Sequence, residues 1–477
     1  MNVVKTPQTR CRAAVARSDI TPPVGIYHRM WGAATHERAT GVHRPLSATL
    51  LWLEPAGGED ALVLVSLDHC LFDTPDIALF QEAVGQAAGL RREQVHIAAT
   101  HTHAAGLLSR SRAALPGGEL IGPYLDGVAN KLAALAAQAA GSRQPATIVY
   151  GTGRCALAAH RDYFDAERGQ FVCGYNPGGT ADDTLLVARI TAESGTPLAT
   201  FVNYACHPTT LAWQNTQISP DYVGALRETV EQATEAPCVF LQGASGDLGP
   251  REGFVGDPGV ADRNGRQVGY AALAALESLP EAGTRFVYAG PVVSGATIGT
   301  WRHEPATSAE RAGHAAWQVV SWNCELAYRA DLPTLAAAQA ELAACQAREA
   351  EEASRGQADA ARHWHARVEQ AQRQFWRLQS LPQPRFPLPI TLARLGDAVW
   401  ILVPGEHYQL LQTSLRKRFA PRPLVVATLT DGWQPGYFPP AATYGRGIYQ
   451  EQIAVVAQGS AEQVLGEIEA RVAKLLE

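Results

Sequence analysis

No stretch of this 477-residue chain approaches the ~18 uninterrupted apolar residues of a membrane-spanning helix. Residues 1–23 contain no apolar run of the kind a secretory signal carries, so no signal peptide is expected. A basic excess is also missing. Lys and Arg total 40 against 46 Asp and Glu, for a formal net charge of -6. Nucleic acid and anionic membrane surfaces both need a basic face, so neither is expected as a partner. The eight cysteines include no Cys-x-x-Cys pair, and several, such as Cys206 and Cys238, sit inside apolar runs where a small buried thiol fits. That pattern favours a reduced, cytoplasmic protein over a disulfide scaffold. There is no convincing internal repeat and no long low-complexity tract.

What is present is globular: 46% hydrophobic and 18% charged residues, enough for a sizeable core. Length alone suggests roughly two to three domains of ~150 residues, though one large α/β unit also fits. Several segments share one order: a short apolar run, then polar residues and glycine, then a helix start. Ala61–Leu67 reads as a buried strand ending at Asp68, with Thr74 as N-cap and Pro75 at the first helical position. Val95–Ala99 runs into His101-Thr102-His103, and Leu198–Ala205 ends at His207. Ser219-Pro220 repeats the cap-plus-proline signal. Cys238–Leu241 leads to the turn containing Ser245 and Asp247. Val399–Val403 leads to Pro404-Gly405-Glu406, and Leu424–Leu429 to Asp431-Gly432 and then Tyr437. Apolar strands alternating with helices predict an α/β fold, a layered sheet core flanked by helices.

Between Thr334 and Gln379 the chain becomes rich in Ala, Glu, Gln and Arg, broken at Gly356. This predicts a helical hairpin, inserted at 334–380, that projects from or covers the α/β body. Leu381–Pro389 reads as an extended linker back to the final strands.

Ligands in α/β folds collect beyond the carboxyl ends of strands, where His101, His207, Glu406 and Asp247 all fall. In an extended segment His101 and His103, two apart, point to the same side. The small residues Ala104-Ala105-Gly106 leave room for a ligand. A hydrogen-bonded histidine pair is the plainer alternative. His207 precedes Pro208, which holds it extended. Glu406 is either a helix N-terminal charge or a ligand. Two histidines and a carboxylate make a catalytic zinc set with a position left for water or substrate.

Several segments resemble the neutral, non-lysosomal ceramidases. Arg17-Ser18-Asp19-Ile20-Thr21-Pro22-Pro23 resembles that family's opening. Val65-Ser66-Leu67-Asp68 resembles its strand-end aspartate, and Ala99-Thr100-His101-Thr102-His103-Ala104-Ala105-Gly106 its His-Thr-His segment. Tyr204-Ala205-Cys206-His207-Pro208-Thr209 and Ile218-Ser219-Pro220-Asp221-Tyr222-Val223-Gly224 are similar to two more. Pro404-Gly405-Glu406, Gly436-Tyr437 and the later Tyr444 and Tyr449 complete the series. The matches run in order from about residue 14 to about 452. The resemblance implies a Zn²⁺ site made by His101, His207, Glu406 and Tyr437. It also implies substrate-orienting roles for His103, Arg161 and Tyr449.

The departures shape the expected chemistry. Where the family carries its attacking serine, this chain has Gly249, in Gly246-Asp247-Leu248-Gly249-Pro250. The chain also ends soon after the tyrosine segment, so the family's C-terminal β-sandwich domain is expected to be absent. The expectation is one ceramidase-like catalytic domain over residues 1–477. It would be a zinc-dependent hydrolase of an amide or ester bond, lactams and lactones included, in a small soluble substrate, acting through metal-activated water. His103 and Tyr449 would stabilise the oxyanion or pass protons. Asp247 would orient the water or a ligand histidine, or else stabilise its turn. Two alternatives stay open: a true ceramidase-type N-acyl amidase with a serine nucleophile such as Ser245, and a non-catalytic metal-dependent binding protein. A homo-oligomer is compatible with the sequence.

Overall fold

Adjacent residues of one strand face two different cores. Along Ser47–Glu54, Leu50 and Trp52 point one way and Leu51 and Leu53 the other, and all four are buried, as the two-residue period of a strand requires. The computed structural model describes residues 2–58 and 60–477 and explains this two-sided burial by four layers: helices, sheet, sheet, helices.

The larger sheet has eight strands: β1 (Gln8–Asp19), β2 (Ser47–Glu54), β3 (Leu62–Leu67), β4 (Val95–Ala99), β5 (Gln144–Arg154), β6 (Thr184–Ala192), β7 (Pro197–Tyr204) and β8 (Cys238–Gln242). Their spatial order is β8-β7-β6-β5-β1-β2-β3-β4. The sheet is mixed. Its interior pairs are antiparallel, and only the two outermost pairs, β3/β4 and β7/β8, are parallel. Each parallel pair needs a crossover. Helix α1 (Thr74–Ala88) supplies the first. After α2 (Ile121–Ser142), helix α3 (Tyr222–Thr234) supplies the second, and α4 (Pro258–Glu277) packs beside it. Phe80, Val84, Leu125 and Leu132 cover Leu50, Trp52, Val63 and Val65. Leu226, Val230, Val268 and Ala272 cover Val149, Val187, Val202 and Phe240.

Two helix starts differ from the sequence reading. Asp73, not Thr74, is the N-cap of α1, and Thr74 is its first helical residue. Helix α3 starts after Asp221, not at Ser219-Pro220, because the Asp221 carboxylate accepts the Tyr222 amide and holds the turn.

The second sheet comprises β9 (Trp317–Leu326), β10 (Phe386–Leu395), β11 (Ala398–Leu402) and β12 (Leu424–Ala427), in that order. Between β9 and β10 lies the expected helical hairpin, α5 (Leu335–Ser354) and α6 (Ala358–Gln379). Thr334 caps α5 by accepting the Ala337 amide. Trp400, Leu402 and Val425 face Leu51, Phe201 and Val239 of the first sheet. The far side is covered by α7 (Leu410–Phe419) and α8 (Ser460–Leu476) through Leu411, Leu415, Val464, Ile468 and Val472.

One feature of the large sheet decides where the site lies. Its two edges meet. The Ser66 hydroxyl on β3 donates to the Phe240 carbonyl on β8 at 2.7 Å. The segment leaving β12 threads between them: Thr428 N donates to Gln242 O at 3.0 Å, Ala99 N to Leu429 O at 3.2 Å, and Asp431 N to Ile97 O at 2.7 Å. The ends of β4, β7, β8 and β11 are thereby gathered in one place. Among the described residues no helix is long and apolar enough to cross a membrane.

Candidate metal centre

His101 leaves β4 in a left-handed backbone conformation, φ +73°, which non-glycine residues adopt only when their surroundings hold them there. Its amide donates to His69 O at 2.8 Å. Its Nδ1 bonds Cys70 O at 2.7 Å. His207 has the same arrangement beyond β7: its Nδ1 bonds Ser245 O at 2.7 Å. A carbonyl can only accept, so each Nδ1 carries the proton and each Nε2 is left with a lone pair.

Those two lone pairs converge. His101 Nε2 and His207 Nε2 are 3.0 Å apart. Glu406 Oε2 lies 2.9 Å from His207 Nε2 and 3.3 Å from His101 Nε2. Tyr437 Oη is 3.4 Å from His207 Nε2. All four residues are buried. Glu406 and Tyr437 are register partners in a short parallel pairing of Glu406–His407 with Tyr437–Phe438. Two imidazole lone pairs facing each other beside a carboxylate repel unless a cation lies between them. The donor set, two nitrogens and one or two oxygens with histidine tautomers fixed by carbonyls behind them, is that of a catalytic zinc site. The residues therefore fit the metal the sequence suggested.

The electrostatics agree. Burial acts to raise the Glu406 carboxyl, but His101 and His207 hold it well below the usual carboxylate range. Burial and then the Arg161 charge pull His207 down to about 3. Burial also acts to lower His101, yet Cys70 and Glu406 outweigh it and push it up to about 10. Without a metal the cluster's one positive charge would sit on His101, whose Nε2 proton a bound cation would replace. A second grouping, Cys70 with His101 and His103, is also close enough to share an ion. It would draw on the Nδ1 side of His101, which Cys70 O already occupies.

His103 stands beside the cluster, its Nε2 3.4 Å from His101 Nε2. Burial and the neighbouring histidines keep it neutral. Its Nδ1 is buried and bonds no group among the described residues. Trp31 stacks on it, ring centroids 5.3 Å apart, with Phe254 and Trp213 edge-on behind. Arg161 is buried and reaches Gly246 O at 2.7 Å and Tyr437 Oη at 3.1 Å, so it orients the tyrosine. Tyr449 is 46% exposed and meets Tyr437 edge to face at 5.9 Å.

Asp247 faces elsewhere. Its carboxylate accepts Gln409 N at 2.8 Å and Gln409 Nε2 at 2.7 Å, and touches no ligand histidine. These contacts tie the turn to the start of α7 and involve no ligand histidine. Ser245 Oγ sits behind His207, 3.2 Å from Nδ1, and accepts Gln242 Nε2 at 2.7 Å. Gly249 has no side chain, and a Cβ there would meet Thr209 Oγ1 at 3.7 Å and Arg161 Cδ at 3.8 Å. The Thr209 hydroxyl is buried and unpartnered among the described residues. Sequence reasoning missed Trp31, Thr209 and, on the hairpin, Arg377. Thr209 and Arg377 lay inside segments already singled out, but neither was marked as a site residue; Trp31 lay outside them.

By sequence the chain matches no family model and no curated protein. By structure, a neutral ceramidase from Pseudomonas aeruginosa is similar, with a TM-score of 0.62 at 16% identity over 98% of this chain and 74% of that one. A ceramidase complexed with C2 gives 0.61 at 16% identity over 97% and 74%. The fold is neutral-ceramidase-like.

Proposed function

We propose that the protein is a zinc-dependent hydrolase of an amide or ester bond in a small, water-soluble substrate, with water as the attacking group. The observation that carries this reading is the pair of Nε2 lone pairs 3.0 Å apart, closed by Glu406. The likeness to two ceramidases, whose names denote amide hydrolysis, supports the bond type. His101, His207 and Glu406, with Tyr437 as a fourth ligand, would hold the ion. Zinc, when bound, would supply Lewis acidity, polarising a carbonyl and lowering the pKa of water from ~16 toward ~7.

The chain's own residues do the rest. Cys70 O and Ser245 O fix the histidine tautomers. Arg161 aims the Tyr437 hydroxyl. His103, kept neutral and with its Nε2 toward the cluster, would pass a proton at the reacting centre. Tyr449, at the rim, donates to the developing oxyanion. A water nucleophile is preferred because Gly249 offers no hydroxyl and Ser245 Oγ is turned to the back of His207.

The preference for a small substrate rests on the hairpin. Helix α6 lies across the loop that carries Trp31: Arg373 donates to Met30 O at 2.7 Å. It sets the charged Arg373 beside that loop, which disfavours a long acyl chain there. An apolar channel would return ~0.8 kcal/mol for each buried CH₂. The test is kcat/KM of the zinc-loaded protein over N-acyl amides of increasing chain length. A plateau or fall beyond short acyl groups is expected. A steady rise out to long-chain N-acyl sphingosines would overturn the small-substrate reading, and no turnover of any amide or ester would overturn the hydrolase reading.

A further inference from the structure

Helix α6 docks by one stripe of residues. Glu369 pairs with the buried Arg112 at 3.3 Å, and Arg373 bonds Met30 O and Glu369. Trp376 lies under the Arg112 guanidinium at 5.1 Å. Below the helix, Ser380 Oγ accepts Gln434 Nε2 at 2.6 Å, which ties its end to the segment bearing Tyr437. Every charged group on this stripe is matched but one. Arg377, a turn beyond Arg373, has its Nε buried with no hydrogen-bond partner among the described residues. It makes no ion pair there either.

Its neighbours on the helix bracket the metal centre: Arg373 bonds Met30 O, next to the Trp31 that stacks on His103, and Ser380 bonds Gln434, three residues before Tyr437. Burial acts to lower Arg377, and Tyr449 and Glu406 lie within electrostatic range of it, as does the positive Arg373. Tyr449 in turn lies within reach of both arginines. A buried Nε–H without a partner is costly, because this donor loses water and gains nothing. An arginine in the last turn of a helix suits the helix dipole, but that would need no burial of the side chain and no approach to Tyr449. A planar fork of donors at the rim of a hydrolytic site matches an anionic oxygen pair.

We propose that Arg377 binds an anionic group, carboxylate or phosphate, on the substrate, so that this enzyme cleaves amides or esters of acids rather than neutral lipids. The inference rests on the hydrolase reading for the words "substrate" and "cleaves", but the binding it claims does not. Arg377 is a specificity residue: it holds the far end of the molecule while the scissile carbonyl reaches the centre. The hairpin thereby acts as a selector as well as a cover.

The experiment uses uncleavable ketone isosteres and calorimetry on the zinc-loaded full chain, so that turnover is not needed. The probes are 4-oxoheptanoate, 4-oxoheptanamide and 4-oxoheptyl phosphate. The parent is expected to bind one of the two anions at least about tenfold more tightly than the carboxamide, the size expected of charge-assisted hydrogen bonds. The tighter anion identifies the group. In Arg377→Met that preference should fall below about threefold, and Arg377→Lys should restore part of it, with zinc content unchanged in both. Direct coordination of the anion by zinc would leave the preference intact in Arg377→Met and overturn the proposal. So would a parent that shows no preference. If the preference and its loss hold while no amide or ester is ever turned over, the hydrolase reading fails and the anion site stands.

Discussion

Glu406 and Tyr437 stand opposite each other in a two-residue parallel bridge, and both turn toward the Nε2 of His207. The bridge makes one rigid unit of two oxygen donors that come from separate strand ends. Gly405 permits it: its φ is +86°, and a Cβ there would lie 2.7 Å from Phe438 and 3.0 Å from Gly436 O. Only glycine fits that approach.

The metal reading is tested by removing one donor at a time. The purified protein should hold about one zinc per chain. His101→Ala, His207→Ala and Glu406→Ala should each lose most of it on dialysis, measured by elemental analysis. Metal content equal to the parent's in all three would mean that the site lies elsewhere.

Ser245 offers a sharper discrimination of mechanism. Its hydroxyl contacts His207 Nδ1 and Gln242, not the face where the two Nε2 atoms meet. Ser245→Ala should therefore keep kcat within about tenfold, a change of ~1.4 kcal/mol in the barrier. A loss of several orders of magnitude with zinc retained would instead assign it the attack on the substrate.

Behind His101, Asp68 at the end of β3 is buried and held by Arg227 of α3, with Nη1 to Oδ1 at 2.8 Å. Thr100 Oγ1 and Ser47 N also donate to it. Removing one partner of such a pair leaves a buried charge unmatched. Arg227→Met should cost about 3–5 kcal/mol of unfolding free energy in urea. A variant as stable as the parent would show that Asp68 is satisfied without it.

Acid should destabilise the metal-free protein well above the usual carboxylate range. Burial pulls His28 and His69 down to about 4 and His407 to about 3. Each folded pKa lies below the ordinary 6.5, so the unfolded chain binds the extra protons. Stability from these residues is full above about pH 6.5 and lost as pH falls toward 4. Burial raises Asp221 to about 6, which works the other way between about pH 4 and 6. From these four groups the net uptake on unfolding near pH 5 is about two protons, each worth roughly 1.4 kcal/mol per pH unit. Unfolding free energies that stay flat between pH 7 and pH 5 would contradict the burial of these histidines as neutral rings.

The sequence carried His101, His207 and Glu406 because each follows an apolar strand and a turn, a pattern that local chemistry sets. The hairpin was legible for the same reason: Thr334 caps it, Gly356 breaks it, and the composition between favours helix. Arg161 and Tyr437 could be named only through the resemblance, since neither sits in a pattern that marks a site. Trp31 carried no signal, and Arg377 was one of several arginines in the hairpin with nothing to mark it out. The periodicity of α6 shows that one face docks, but nothing in it says that the face reaches a loop near residue 30 or a tyrosine near residue 449.

What the tertiary structure alone decided is the meeting of the two histidines. His101 follows β4 at one edge of the eight-stranded sheet, and His207 follows β7, next to the other edge. In a flat sheet, six strand spacings of ~4.8 Å would hold them roughly 30 Å apart. Their Nε2 atoms are 3.0 Å apart because the sheet rolls until β3 and β8 touch and residues 428–431 stitch the edges together. Side-chain periodicity is local and fixes which face of a strand is buried. Curvature is the sum of many small twists and one long-range closure, and no segment of the sequence contains it.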